Sequence, residues 1–179
     1  MTAPPAALVC LDMQRARLSG PQLALNPGQI VAACRHVLAQ ARARRWPILH
    51  VHRREASSEG ARPILGLEPL PSEPVFLRPG PSAFSHPAFA RRALELGGPL
   101  ALVGFSMADS VLATAVAAAD RKLPVDVLCD AVASGFRDDG VLLQALSAPL
   151  AALSPLCRLI QTEDLLQEEV ATFAAANAP

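Results

Sequence analysis

Short, continuously apolar runs alternate along this chain with longer stretches in which apolar residues return every three or four positions. The first run, ALVCL at residues 7–11, has no polar interruption and stops at Asp12. A run of that length without alternation fits a strand buried on both faces, as in a parallel sheet. Asn26-Pro27 then offers a helix cap and a first helical residue, and Ile30, Val31, Cys34, Val37, Leu38 and Ala41 share one helical face. Residues 47–51 read as the second strand. Residues 54–74 are rich in Pro, Ser, Glu and Gly and carry no period. A connection that long is often one that shapes a site.

The alternation resumes with a short strand at 75–77 and a helix from Pro87 to Gly97-Gly98, which Ser85 is expected to cap. Strands follow at 100–103, closing on Gly104, at 125–129, closing on Asp130, and at 157–160. Helices are expected over 108–122 and 138–153, and from about Glu163. Strand after helix throughout predicts βαβ units with right-handed crossovers and a largely parallel sheet covered on both faces, in one domain over 1–179. Ligands of such sheets bind outside the carboxyl ends of the strands.

Composition narrows the class. The chain has 179 residues, half of them apolar, and a formal net charge of zero. It can bury a core without disulfides or metal, and it lacks the basic surface that nucleic acid or an anionic membrane would select. Arg42, Arg44 and Arg45 cluster where a helix is expected to end, a position that suits cations. The amino-terminal apolar run has no basic segment before it and reads as a strand rather than a leader. No apolar stretch is long enough to span a bilayer, so a cytoplasmic protein is expected. Cys10, Cys34, Cys129 and Cys157 are scattered through apolar segments and read as buried thiols. His50 and His52 alternate on one strand face, but a metal site needs three or four ligands and no partner motif accompanies them. No metal or cofactor is expected, and a redox or metal protein has little beyond these residues to support it.

At the strand ends three places stand out: Asp12, Arg78, and the segment Gly104-Phe105-Ser106-Met107-Ala108-Asp109-Ser110. A partly desolvated Asp12 could exchange protons, or it could simply bond backbone amides as a cap. Ser110, in a first helical turn, could act on a substrate or could be a capping residue. The glycine signatures of dinucleotide and P-loop sites are absent, as is the nucleophile elbow GxSxG.

The pieces ALVCLDMQ, FLRPGPSAF, LALVGFSMADSVLATAVAAADRKLPVDVLCDAVAS and LIQTEDLL, in this order, resemble the isochorismatase-like hydrolases, a family that includes isochorismatases, nicotinamidases and related amidohydrolases. The resemblance implies a three-layer α/β/α fold with a six-stranded parallel sheet, and a homo-oligomer. It also implies a triad of aspartate, lysine and cysteine. The aspartate position holds Asp12, the lysine position Arg78 and the cysteine position Ser110. Gln14, Phe84, Phe105 and Ser106 fall where substrate contacts are implied, and the Phe105–Ser106 bond where the family often has a cis peptide. Zinc occurs in the nicotinamidase branch, whose ligand pattern is not visible here.

The two replaced positions matter chemically. A thiol ionises at about 8.5, whereas a serine hydroxyl needs a stronger base such as histidine. A guanidinium stays charged and accepts no proton. Two functions therefore remain. One is hydrolysis of a small, anionic molecule with Asp12 as general acid or base and Arg78 as its charged partner, as in the vinyl-ether branch of the family, which needs no thiol. The other is a non-catalytic relative that keeps the pocket as a ligand-binding or oligomeric module.

Overall fold

The computed structural model describes residues 4–18, 27–133, 145 and 147–167. Six parallel strands form one sheet in the order β3-β2-β1-β4-β5-β6: β1 Ala7–Leu11, β2 Ile48–Arg53, β3 Val75–Arg78, β4 Leu100–Phe105, β5 Val125–Ala133 and β6 Cys157–Ile160. Four helices accompany them, α1 Pro27–Ala43, α2 Ser58–Ala61, α3 Pro87–Leu96 and α4 Leu112–Ala119. Residues 147–151 and 162–167 are also helical. The start of the helix expected over 138–153, and Asn26, lie outside the described residues.

Every residue of β1 and of β4 is buried, because side chains alternate between two cores. Ala7, Val9 and Leu11 face the cluster built with Phe89, Ala93, Val111 and Ala115. Leu8 and Cys10 face the opposite cluster, built with Val31, Cys34, Val37, Leu38 and Ala41 of α1. This is the helical face that the spacing predicts. Strand order turns outward in both directions from the β1–β4 pair, so the crevice beyond their carboxyl ends is the place where such sheets take ligands. Gly104 permits the two strands to meet there. Its φ is +120°, and a Cβ on it would lie 2.1 Å from the Leu11 carbonyl oxygen, so no other residue fits.

Several boundaries differ from expectation, each for a local reason. The helix α3 is capped by His86, whose ring accepts from the Phe89 N–H at 3.4 Å. Ser85 instead closes the preceding 3₁₀ turn, its hydroxyl bonded to the Ser82 carbonyl. β4 runs on through Gly104 to Phe105. A π-type turn, Met107–Val111, precedes α4, which ends at Ala119. β5 does not stop at Asp130: a bulge lets it continue to Ala133. The Asp130 carboxylate accepts from the backbone N–H and the hydroxyl of Thr162, which ties the residues at 162–167 to the sheet. The four cysteines are free, and only Cys129 is partly exposed. Among the described residues no helix is long and apolar enough to cross a membrane, and no three His, Cys, Asp or Glu side chains gather as a metal would require.

The connection between β2 and β3 contains one short helix, α2, and is held further along by buried polar groups. Glu73 accepts from Arg42 Nε at 2.8 Å and Nη2 at 2.9 Å, and from the Leu70 backbone N–H at 2.9 Å. His50 Nε2 lies 2.9 Å from it. Arg42 thus serves an ion pair more than the end of its helix. Burial alone would raise Glu73, but the bonds from Arg42, Leu70 and His50 outweigh it and bring its pKa from 4.5 to about 2. Burial lowers His50, and it lowers His52 to about 4 with help from His50.

These shifts set an acid-stability profile. The unfolded chain takes a proton on His52 near pH 6.5 and the folded chain only near 4, so stability falls as pH drops through that interval. The Glu73 contribution is complete above about 4.5 and is lost toward pH 2. Denaturant unfolding across pH is expected to show both limbs. His52→Leu should remove its share of the upper limb, roughly 3 kcal/mol, and leave the part that comes from His50. Glu73→Gln should reduce the lower one.

Candidate active site

Asp12 follows the last residue of β1 with φ at +49°, a conformation few non-glycine residues adopt. Its carboxylate is fully buried. Arg78, the last residue of β3, reaches it past the intervening β2: Nε donates to Oδ1 at 3.1 Å and Nη2 to Oδ2 at 2.6 Å. This is the bidentate geometry in which guanidinium and carboxylate bind most strongly. The remaining nitrogen, Nη1, donates to the carbonyls of Gly80 at 2.6 Å and Pro81 at 2.9 Å. Burial alone would lower Arg78, but the bonds to Asp12, the Asp12 charge and the neighbouring Asp109 more than offset it and set Arg78 above its ordinary value.

Four further charged side chains complete a cluster that periodicity gave no reason to select. Arg17 Nη2 lies 3.5 Å from Asp12 Oδ2 and 3.8 Å from both Glu55 Oε1 and Asp109 Oδ2. Burial lowers Arg17, and the three carboxylates restore it only in part. Its Nε and Nη2 are buried without a hydrogen-bond partner. Arg53 reaches Glu55 at 3.3 Å and Asp109 at 3.6 Å, and Arg78 is 3.5 Å from Asp109. Three guanidiniums therefore face three carboxylates. Asp109 stands beside Ser110 in the strand-end segment, and Arg53 and Glu55 sit in the charged run Arg53-Arg54-Glu55. That adjacency is the signal a sequence reading could have used. Arg17 had none.

Ser110 is fully buried in the π-type turn, and its hydroxyl donates to the Phe105 carbonyl at 2.9 Å. The Phe105–Ser106 peptide is cis, as the resemblance implies. Phe105 is buried, and Ser106 precedes the turn without a side-chain capping bond. Gln14 is occupied in holding the chain: its amide accepts from the Arg53 N–H at 3.0 Å and donates to the Arg53 carbonyl at 3.0 Å and the Ala61 carbonyl at 3.4 Å. Phe84 packs edge-on against Phe89 at 5.2 Å, with the Arg121 guanidinium 4.9 Å over its ring. Asp12 and Arg78 are thus brought into direct contact, and Asp109 places the Ser110 turn beside them, whereas Gln14 and Phe84 are engaged elsewhere.

A parallel α/β sheet with a buried aspartate and a charged cluster at its central switch point defines a doubly wound α/β protein with its candidate site in the crevice at the carboxyl ends of the strands. The isochorismatase domain pattern matches residues 6–144, and the chain belongs to the isochorismatase family. An isochorismatase from Pseudomonas putida superposes with a TM-score of 0.79 at 28% identity, over 92% of each chain. An isochorismatase family protein from Desulfovibrio vulgaris gives 0.79 at 22%, over 92% of this chain and 97% of that one. The MAR1 ribonuclease from Caenorhabditis elegans gives 0.78 at 18%, over 100% and 94%. No curated protein matches the sequence.

The Asp12–Arg78 pair can be dissected by a double-mutant cycle. Arg78→Ala strands a buried carboxylate and frees two loop carbonyls, and should destabilise by about 3–5 kcal/mol. Asp12→Ala should also destabilise. The double variant should lose clearly less than the two single losses added together, which urea unfolding at pH 7 measures directly.

Proposed function

We propose that this member of the isochorismatase family binds a small molecule at the carboxyl end of its sheet without the covalent hydrolysis typical of the family. One observation carries the reading: both Asp12 oxygens are engaged by Arg78. By the resemblance, Arg78 stands in place of a lysine and Ser110 in place of a cysteine. A guanidinium cannot relay a proton. The Ser110 hydroxyl is directed at a backbone carbonyl, and among the described residues no base is bonded to it. A serine nucleophile needs such a base. What remains is a largely buried cluster of charged groups whose Arg17 retains unbonded donors, a setting suited to recognising a polar or anionic group.

A hydrolytic reading is favoured by one feature, the rare left-handed backbone of Asp12, of a kind that clusters at active sites. In it Asp12 would protonate a vinyl-ether carbon and water would complete the cleavage, after Arg78 had moved aside for the substrate.

Two experiments separate these readings. Purified protein incubated with isochorismate, nicotinamide, short amides and short esters should give no turnover above background. Turnover that disappears in Asp12→Asn, with that variant still folded by circular dichroism, would establish the hydrolase instead. Ser110→Cys alone should add no amidase activity, because Arg78 still holds the carboxylate. Ser110→Cys combined with Arg78→Lys should add it, measured as ammonia release.

A further inference from the structure

Beside the charged cluster, past the ends of β2 and β3, lies a cleft of about 500 Å³, a size that suits a small molecule. Arg53, Arg54 and Arg78 line it together with Leu77, Pro79 and Pro81, and among the described residues no acidic one does. In a chain with no net charge, three guanidiniums meet at one opening, and the one that no carboxylate balances leaves it a positive charge that draws anions. Two of them have carboxylates nearby: Arg78 has Asp12, and Arg53 has Glu55 and Asp109. Arg54 is exposed and, among the described residues, makes no ion pair with a carboxylate. Leu77 is 56% exposed, an apolar surface next to the cationic one.

The walls are fixed before any ligand arrives. On one side, the Gln14 amide clamps both the N–H and the carbonyl of Arg53. On the other, Arg78 holds the carbonyls of Gly80 and Pro81, and the Gly80 N–H donates to Ser85 Oγ at 3.0 Å. Pro79 and Pro81 restrict the same loop further. Only the arginine side chains need to order on binding, which keeps the entropy cost low.

We infer that this cleft takes a small oxyanion, a carboxylate or phosphate monoester, carried on a compact apolar body. The anion lies between Arg54 and the outer edge of Arg53, and the body rests on Leu77, Pro79 and Pro81. The inference rests on the reading of the sheet's carboxyl end as a ligand site and names the class of ligand.

Calorimetric titration of the whole protein at low salt with benzoate, phenyl phosphate, benzamide and acetate tests it, alongside amide NMR. The better of benzoate and phenyl phosphate should bind about tenfold or more tightly than both neutral benzamide and bodiless acetate, and which of the two wins assigns the oxyanion. Arg54→Ala, at an exposed position, should weaken that binding about tenfold, and the Gly80 amide should shift on titration. Benzamide binding as tightly as the anions, indifference to Arg54→Ala, shifts that spare Gly80, or no binding at all would each overturn it. Turnover of the hydrolase panel would overturn the non-covalent reading and leave this equilibrium test untouched.

Discussion

The carboxyl end of this sheet depends on one buried ion pair. Arg78 and Asp12 belong to strands that do not touch, with β2 between them, and their side chains close the gap with two hydrogen bonds. Two charges removed from water are tolerable only when every donor and acceptor is answered. The guanidinium meets that condition by dividing its nitrogens between the carboxylate and the Gly80 and Pro81 carbonyls. One side chain thereby fixes the strand end, the site carboxylate and the loop that follows. The same contact bears on chemistry, since a substrate must share the Asp12 carboxylate with a guanidinium that already bonds both its oxygens.

A second set of buried polar contacts keeps the long β2–β3 connection in place. Its amino-terminal end is clamped to Gln14, and its carboxyl-terminal end centres on Glu73, which gathers Arg42, His50 and the Leu70 amide. Between them Ile64 and Leu67 enter the α1-side core. A segment without hydrophobic period can therefore be well ordered when a few buried polar groups replace the ladder bonds it lacks.

How much of this could be read from the sequence follows from which forces are local. The β1 and β6 limits were legible because a charged or polar residue directly follows each apolar run. The α1 face was legible because five of its apolar positions are wholly committed to one core. Asp130 misled because a carboxylate in an apolar run signals an end only when its partner is water, and here its partner is Thr162 across the sheet. Ser85 and His86 are both able to cap, and only the three-dimensional path of the chain decides between them. In the site, Asp12, Arg78 and Ser110 were visible as strand-end chemistry. Asp109 lay within the strand-end segment without a role of its own, and Arg17, Arg53 and Glu55 were not selected, because what unites these four is proximity across three separate segments, and no spacing rule encodes that.

The double duty of Arg78 also bears on how such a site can change over generations. A lysine at the same position offers a single ammonium, and the planar fork that answers a carboxylate and two carbonyls together has no lysine equivalent. Exchanging arginine for lysine would loosen the Pro79–Pro81 turn in the same step that freed Asp12. Exchanging it back would tighten both again. A lineage carrying arginine here is held in place by a loop contact unrelated to proton transfer. A change elsewhere that first held the turn would make the exchange for a proton-relaying residue less costly, so the order of substitutions, and not only their number, bears on which chemistries its descendants can reach.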